Sequence, residues 1–165
     1  MSRPSRQRRN AADEPHVLPL RTTASGTPLA ELLAPVVAAI ASERRARGLP
    51  PIPVTLDAAA GQVTAGEAGL LGELMRSLLE AACEASAAAS PRLREVVVTS
   101  VAGPAGLEIE VADSGPEPAG PRRSVSTFRP LAERLGGTLA CRGCPEGGTA
   151  VTLSLPRRGQ QRQAA

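Results

Sequence analysis

Four groupings of side chains in this chain carry chemistry. Asp113, in Asp113-Ser114-Gly115-Pro116, is a carboxylate at the end of a strand-like run, placed either to accept a ligand's hydrogen bond or to build a turn. Glu80 and Glu84 fall one helical turn apart, as a metal-ligating pair or, more plainly, a solvated acidic stripe. Gly147-Gly148-Thr149 opens the last strand-like run. Cys141 and Cys144 form a Cys-x-x-Cys, a spacing used by zinc sites and thiol redox centres, whose bland reading is two small residues beside a hairpin turn.

Other chemistry is excluded by residue type. All 19 basic residues are Arg, so phosphate-loop lysines, Schiff bases and lysine general bases are absent. His16 is the only histidine and lies in a Pro-flanked stretch, which removes His-dependent triads and multi-His metal sites. Asn10 is the only asparagine and Phe128 the only aromatic residue, so aromatic stacking on bases is not available. With Cys83 the thiols number 3, which with one close pair is no disulfide framework and fits a cytoplasmic protein.

The chain has 165 residues, enough for one domain with a core that needs neither disulfides nor metal. Its formal charge of +3 sits in the ends: Arg3, Arg6, Arg8 and Arg9 at one, Arg157, Arg158 and Arg162 at the other. Residues 1–26 read as a disordered Arg-rich tail, 27–156 as the domain, and 157–165 as a basic C-terminal tail. There is neither a long apolar run nor a secretory signal pattern, so the expectation is a cytoplasmic protein with no membrane contact.

Periodicity supplies the elements that must position those groups. Leu29, Leu32, Leu33, Val36, Val37 and Ile40 predict a first helix with Thr27 as N-cap and Pro28 at its first position, kinked or divided by Pro35 and ended by Gly48. Pro51 to Leu56 predicts a short edge strand. Thr64 and Glu67 form a capping box ahead of Leu70, Leu71, Leu74, Met75, Leu78, Leu79 and Ala82, a second helix reaching about Ala88. Runs at 95–101 and 107–111 predict a hairpin; Phe128, Leu131 and Leu135 a short third helix; and 138–141 with 149–155 a closing strand pair. The implied fold class is α/β (α+β): a two-layer sandwich of a mixed, mainly antiparallel sheet with helices on one face.

This order, with Asp113 ending a strand and Gly147-Gly148-Thr149 opening the last, resembles the Bergerat or GHKL fold of histidine kinases, type II topoisomerases and related ATPases. Three stretches carry the resemblance, which covers roughly residues 28–156. Ser77-Leu78-Leu79-Glu80-Ala81-Ala82-Cys83-Glu84-Ala85-Ser86 resembles the N box, and Leu107-Glu108-Ile109-Glu110-Val111-Ala112-Asp113-Ser114-Gly115-Pro116 the first glycine box at the end of a strand. Leu131-Ala132-Glu133-Arg134-Leu135-Gly136-Gly137 followed by Gly147-Gly148-Thr149 resembles the family's C-terminal end.

The resemblance implies ATP as cofactor, with Asp113 accepting the adenine amino group and Gly115 permitting close approach. It also implies an Asn oxygen on Mg²⁺, but Ala81 holds that position, and Ser77 one turn earlier offers only a hydroxyl, a poor ligand for a hard cation. Glu80 or Glu84 would have to substitute. The second glycine of the first box is Glu117, and the glycine-rich lid is replaced by Ser124-Val125-Ser126-Thr127-Phe128, with Arg122 and Arg123 as the nearest phosphate-seeking charges. His16 lacks the context of a phosphoacceptor, so autophosphorylation in cis is not expected.

The expected function is a stand-alone, degenerate histidine kinase-like ATP-binding domain in signal transduction. Its nucleotide binding is weak or lost, Mg²⁺ lacks a ligand, and the domain acts by binding a signalling protein: a kinase, a response regulator or an anti-sigma system. The alternatives are an active GHKL ATPase or serine kinase of the anti-sigma-factor type, and a nucleic-acid binder using the Arg-rich tails.

Overall fold

A computed structural model of the chain describes residues 26–58, 62–116, 123–145 and 147–157. The elements run β1 (Gly26–Pro28), α1 (Leu29–Ala46), β2 (Val54–Asp57), β3 (Gln62–Thr64), α2 (Ala65–Ala87), β4 (Val96–Gly103) and β5 (Gly106–Asp113). After these come α3 (Arg123–Arg134), β6 (Thr138–Gly143) and β7 (Thr149–Pro156).

Five strands form one sheet in the order β2-β4-β5-β7-β6. The β2–β4 pair is parallel and the other pairs are antiparallel, while β1 and β3 make a separate two-stranded ribbon. Strand residues alternate between faces. On the face covered by helices, Val96 and Val98 of β4, Ile109 and Val111 of β5 and Leu153 of β7 are buried. Against them α2 lays Leu71, Leu74, Met75, Leu78, Leu79, Ala82 and Cys83, a buried stripe at three- and four-residue spacing. α1 adds Leu29, Leu33 and Ile40, and α3 adds Val125 and Ala132. The opposite face of the sheet carries Thr99, Glu110 and Thr152, with Glu110 bonded to Arg142 at 2.9 Å and to Thr152 at 3.2 Å. The architecture is the α/β sandwich expected, mixed and mainly antiparallel, with helices on one face.

Several expected details differ. Thr27 lies in β1, and α1 starts at Leu29 with Pro28 at its N-cap and no side-chain cap. α1 runs unbroken across Pro35, because the proline removes a single backbone bond near the helix start while Leu33 and Ile40 remain anchored in the core. Gly48 does end it, at φ 66°, where a left-handed residue lets Leu49 N–H reach the Arg44 carbonyl at 2.9 Å. β2 is the edge strand expected, but prolines keep it to Val54–Asp57. α3 begins five residues earlier than its apolar pattern, at Arg123 rather than Phe128, and contains Pro130. Gly26 opens β1, and the remainder of the expected N-terminal tail, with His16, lies outside the described residues, as do 158–165 and the stretch 117–122 that contains Glu117 and Arg122.

Candidate functional site

Asp113 is the last residue of β5, opposite Val96 on β4 and Thr149 on β7. Val96 is fully buried and Val111, two residues earlier on β5, is nearly so, which sets the Asp113 and Thr149 side chains on the helix side of the sheet. The carboxylate oxygen Oδ1 accepts the Gly115 N–H at 2.8 Å, an Asx turn that bends the chain away from the sheet. The turn reading of Asp113 is thus realised in the structure.

Two glycines make this corner. A Cβ on Gly115 would lie 2.7 Å from the Ala85 carbonyl oxygen, so only glycine lets the turn lean directly on the α2 backbone. Gly148 has φ 89°, and a Cβ there would run into the Asp113 carbonyl oxygen. Its neighbour Gly147 has φ 96° and faces open space. The Cys144 N–H bonds to the Gly148 carbonyl at 3.1 Å, closing the β6–β7 hairpin over the end of β5. Asp113, Gly115, Gly148 and Thr149 thus come together from distant parts of the sequence.

The N-box positions lie on the helix against which this turn leans. Ala81 precedes Ala85 by one turn and shares its flank of α2, and Ser77 precedes Ala81 by another. Ala81 is half-buried and brings a methyl group only. Ser77 donates its hydroxyl to the Glu73 carbonyl at 3.1 Å within the helix. Glu80 does not turn toward this flank: it pairs with Arg76 at 2.9 Å, and Arg76 reaches across to both Glu43 oxygens on α1 at 2.6 and 2.7 Å. That hydrogen bond to Glu43 holds the Arg76 guanidinium above its ordinary pKa. Glu84 is exposed. The donor set on the metal side of the corner is therefore one alanine and one serine engaged with its own helix, which does not fit Mg²⁺, a cation that needs several hard oxygens in octahedral array.

Cys141 sits in β6 opposite Val151, Cys144 lies in the hairpin loop, and none of the three cysteines is disulfide-bonded. Burial pushes the Cys83 thiol up in pKa, with Arg44 opposing the shift. Among the described residues no group of three His, Cys, Asp or Glu side chains converges as a metal site.

Ser86 and Ser114 were not singled out from the sequence as site residues. Ser86 is fully buried on α2 and donates to the Glu95 carbonyl at 2.8 Å, while its oxygen receives the Ser114 N–H at 3.2 Å and the Ser114 hydroxyl at 3.3 Å. Ser114 in turn accepts the Glu95 N–H at 2.9 Å. The signal was present in the spacing: Ser86 continues the Leu79, Ala82, Cys83 stripe, so it must face the core and needs buried partners.

No protein-family model and no curated sequence matches this chain. Solved structures do. The blue-light activated histidine kinase EL346 of Erythrobacter litoralis aligns at TM-score 0.61 and 24% identity over 81% of this chain, and this match spans only 46% of that protein. Its histidine kinase domain alone aligns at TM-score 0.60 and 26% identity, over 84% of this chain and 69% of that one. The ATP binding domain of PrrB from Mycobacterium tuberculosis aligns at TM-score 0.53 and 23% identity, over 75% of this chain and 93% of that domain. Among the described residues no helix is long and apolar enough to cross a membrane. The strand order and these alignments agree that the chain has the α/β fold of histidine kinase ATP-binding domains.

Proposed function

We propose that this protein is a degenerate histidine kinase-like ATP-binding domain that docks adenine nucleotide weakly, without Mg²⁺, and signals by binding a protein partner. One observation carries the reading: Ala81, which brings no side-chain oxygen, stands on the flank of α2 that supports the Asp113 turn. Asp113 would accept the exocyclic amino group and Thr149, directly across from it, would line the same wall, while Gly115 and Gly148 let the corner close tightly on the α2 and β5 backbone. Phosphoryl transfer relies on positioning and on neutralisation of phosphate charge by metal and fixed dipoles, and the α2 flank supplies neither charge nor ligand for it.

A domain that holds a nucleotide without turning it over can transmit only a change of shape or of surface. Its output then passes to a kinase, a response regulator or a component of an anti-sigma system in the cytoplasm. Calorimetric titration of ATP into the purified protein with and without Mg²⁺ tests this. The expected result is an affinity of about 100 μM or weaker, unchanged by the metal, which corresponds to roughly 5 kcal/mol of binding free energy. Low-micromolar binding that strengthens sharply with Mg²⁺ would mean that another group seats the metal, and would favour an active ATPase or serine kinase.

A further inference from the structure

We infer that Ser86 and Ser114 form a buried hydroxyl clamp that sets the position of the Asp113 turn and so selects the base. This rests on the nucleotide reading above and extends it to residues outside the three recognised boxes' ligand positions.

First, Ser86 is fully buried and polar, in a helix face otherwise made of Leu, Met, Ala and Cys. A hydroxyl in such a place is retained only if it is bonded, and here it makes one bond as donor and accepts two. Second, its partners are the two chain segments that flank the site. Glu95 immediately precedes β4 and Ser114 immediately follows Asp113, and Glu95 uses both its N–H and its carbonyl in the network. The Glu95 carbonyl receives the Ser86 hydroxyl at 2.8 Å and the Ser114 N–H at 3.2 Å, so one oxygen joins α2, β4 and the Asp113 turn.

Third, the network lies one residue from each atom that the site needs. Ser114 sits between Asp113 and Gly115, and Ser86 follows Ala85, whose carbonyl sets the closest approach of Gly115. The Ser86–Ser114 bonds and the Gly115–Ala85 contact therefore pin the same turn to the same helix at adjacent positions. A turn held at both ends has one Asp113 carboxylate orientation, which an adenine amino group can meet as donor and a guanine carbonyl at the corresponding ring position cannot. Ser86 and Ser114 are thus positioning residues that act through Asp113.

The test uses the full chain with Ser86→Ala, Ser114→Ala and the hydroxyl-retaining Ser114→Thr. Amide hydrogen exchange is read at Ser114 and Gly115 against Val111 on the same strand, and ATP and GTP binding are measured without metal. Ser86→Ala and Ser114→Ala are expected to speed exchange at Gly115 about tenfold while Val111 stays protected, and to reduce the preference for ATP over GTP at least fivefold. Ser114→Thr should keep both near wild type. Unchanged exchange at Gly115, or a loss spread evenly through β5, would overturn the clamp. Local loosening with an intact ATP preference would overturn its role in base selection. Wild-type protein that binds neither nucleotide would sink the nucleotide reading and base selection together, while the exchange at Gly115 would still decide the clamp on its own. Should Ser86→Ala fail to fold, the Ser114 pair decides the question, because Ser114 is half-buried and its hydroxyl can be removed without opening the core.

Discussion

At the scale of single residues, the site was legible wherever a backbone requirement marks the sequence and illegible where only partners do. Asp113 with Gly115, and Gly148 beside Thr149, could be found because a strand end and a close backbone approach demand particular residue types. Glu80 could not be judged: its spacing from Glu84 suggests a pair, yet Arg76 and Glu43 draw it toward α1, and Glu43 lies 33 residues from Arg76 in the chain. The residue that tests the site most sharply is Ala81. If it faces the corner as its half-burial and its relation to Ala85 indicate, Ala81→Asn should change stability by less than about 1 kcal/mol, since its amide stays in reach of water. It should also make ATP binding measurably Mg²⁺-dependent without substantial turnover, because one ligand restores neither the lid nor the charge around the phosphates. Equilibrium unfolding and calorimetry on the same mutant check both parts. A loss of about 1 to 3 kcal/mol with unchanged nucleotide binding would place the side chain in the core instead.

At the scale of elements, what could be read depended on length and periodicity. α2 was read to within a residue at its C-terminal end because its leucine stripe runs unbroken to Ala82 and Cys83. β1 and β3 were missed, as three-residue strands are too short for any alternation to register. The first turn of α3 was missed because Arg123-Ser124 carries no apolar signal, and its helical state follows from the later anchors Val125 and Ala132. The β6–β7 hairpin gives this scale its own prediction, through two adjacent glycines with similar φ but different surroundings. Gly147→Ala meets open space and should cost only the positive-φ penalty, about 1 to 2 kcal/mol. Gly148→Ala meets the same penalty plus a collision with the Asp113 carbonyl, and should cost about 2 to 4 kcal/mol. Urea unfolding of the two mutants measures the difference, and ATP binding should fall in Gly148→Ala alone, since only there would the added methyl group displace Asp113. Equal costs would mean that the hairpin does not rest on β5 as described.

At the scale of the whole molecule, the decisive consequence is how nucleotide binding couples to folding. The Asp113 corner draws on β5, β7, α2 and the segment before β4, which are joined in one sheet and one core, so a ligand seated there must bind the folded state and not the unfolded chain. Linkage then fixes the size of the effect. At 1 mM ATP and a dissociation constant of about 100 μM, the folded state gains roughly 1.4 kcal/mol. For a domain of this size that is a rise in midpoint of roughly 5 °C in a thermal melt. An active relative would gain a further increment on adding Mg²⁺, because the metal would bridge phosphate to α2; here the donor set at Ala81 and Ser77 predicts none. Melts should therefore shift with ATP, shift alike with ATP and Mg²⁺ together, and not shift with inorganic triphosphate, which lacks the base proposed to meet Asp113. The three conditions separate the readings. A shift with triphosphate alone would place the affinity in arginine-rich surfaces and not in the corner. A shift that appears only with Mg²⁺ would restore the case for catalysis. No shift under any condition would leave the fold as a pure protein-interaction module, with Asp113 retained for the turn it builds with Gly115.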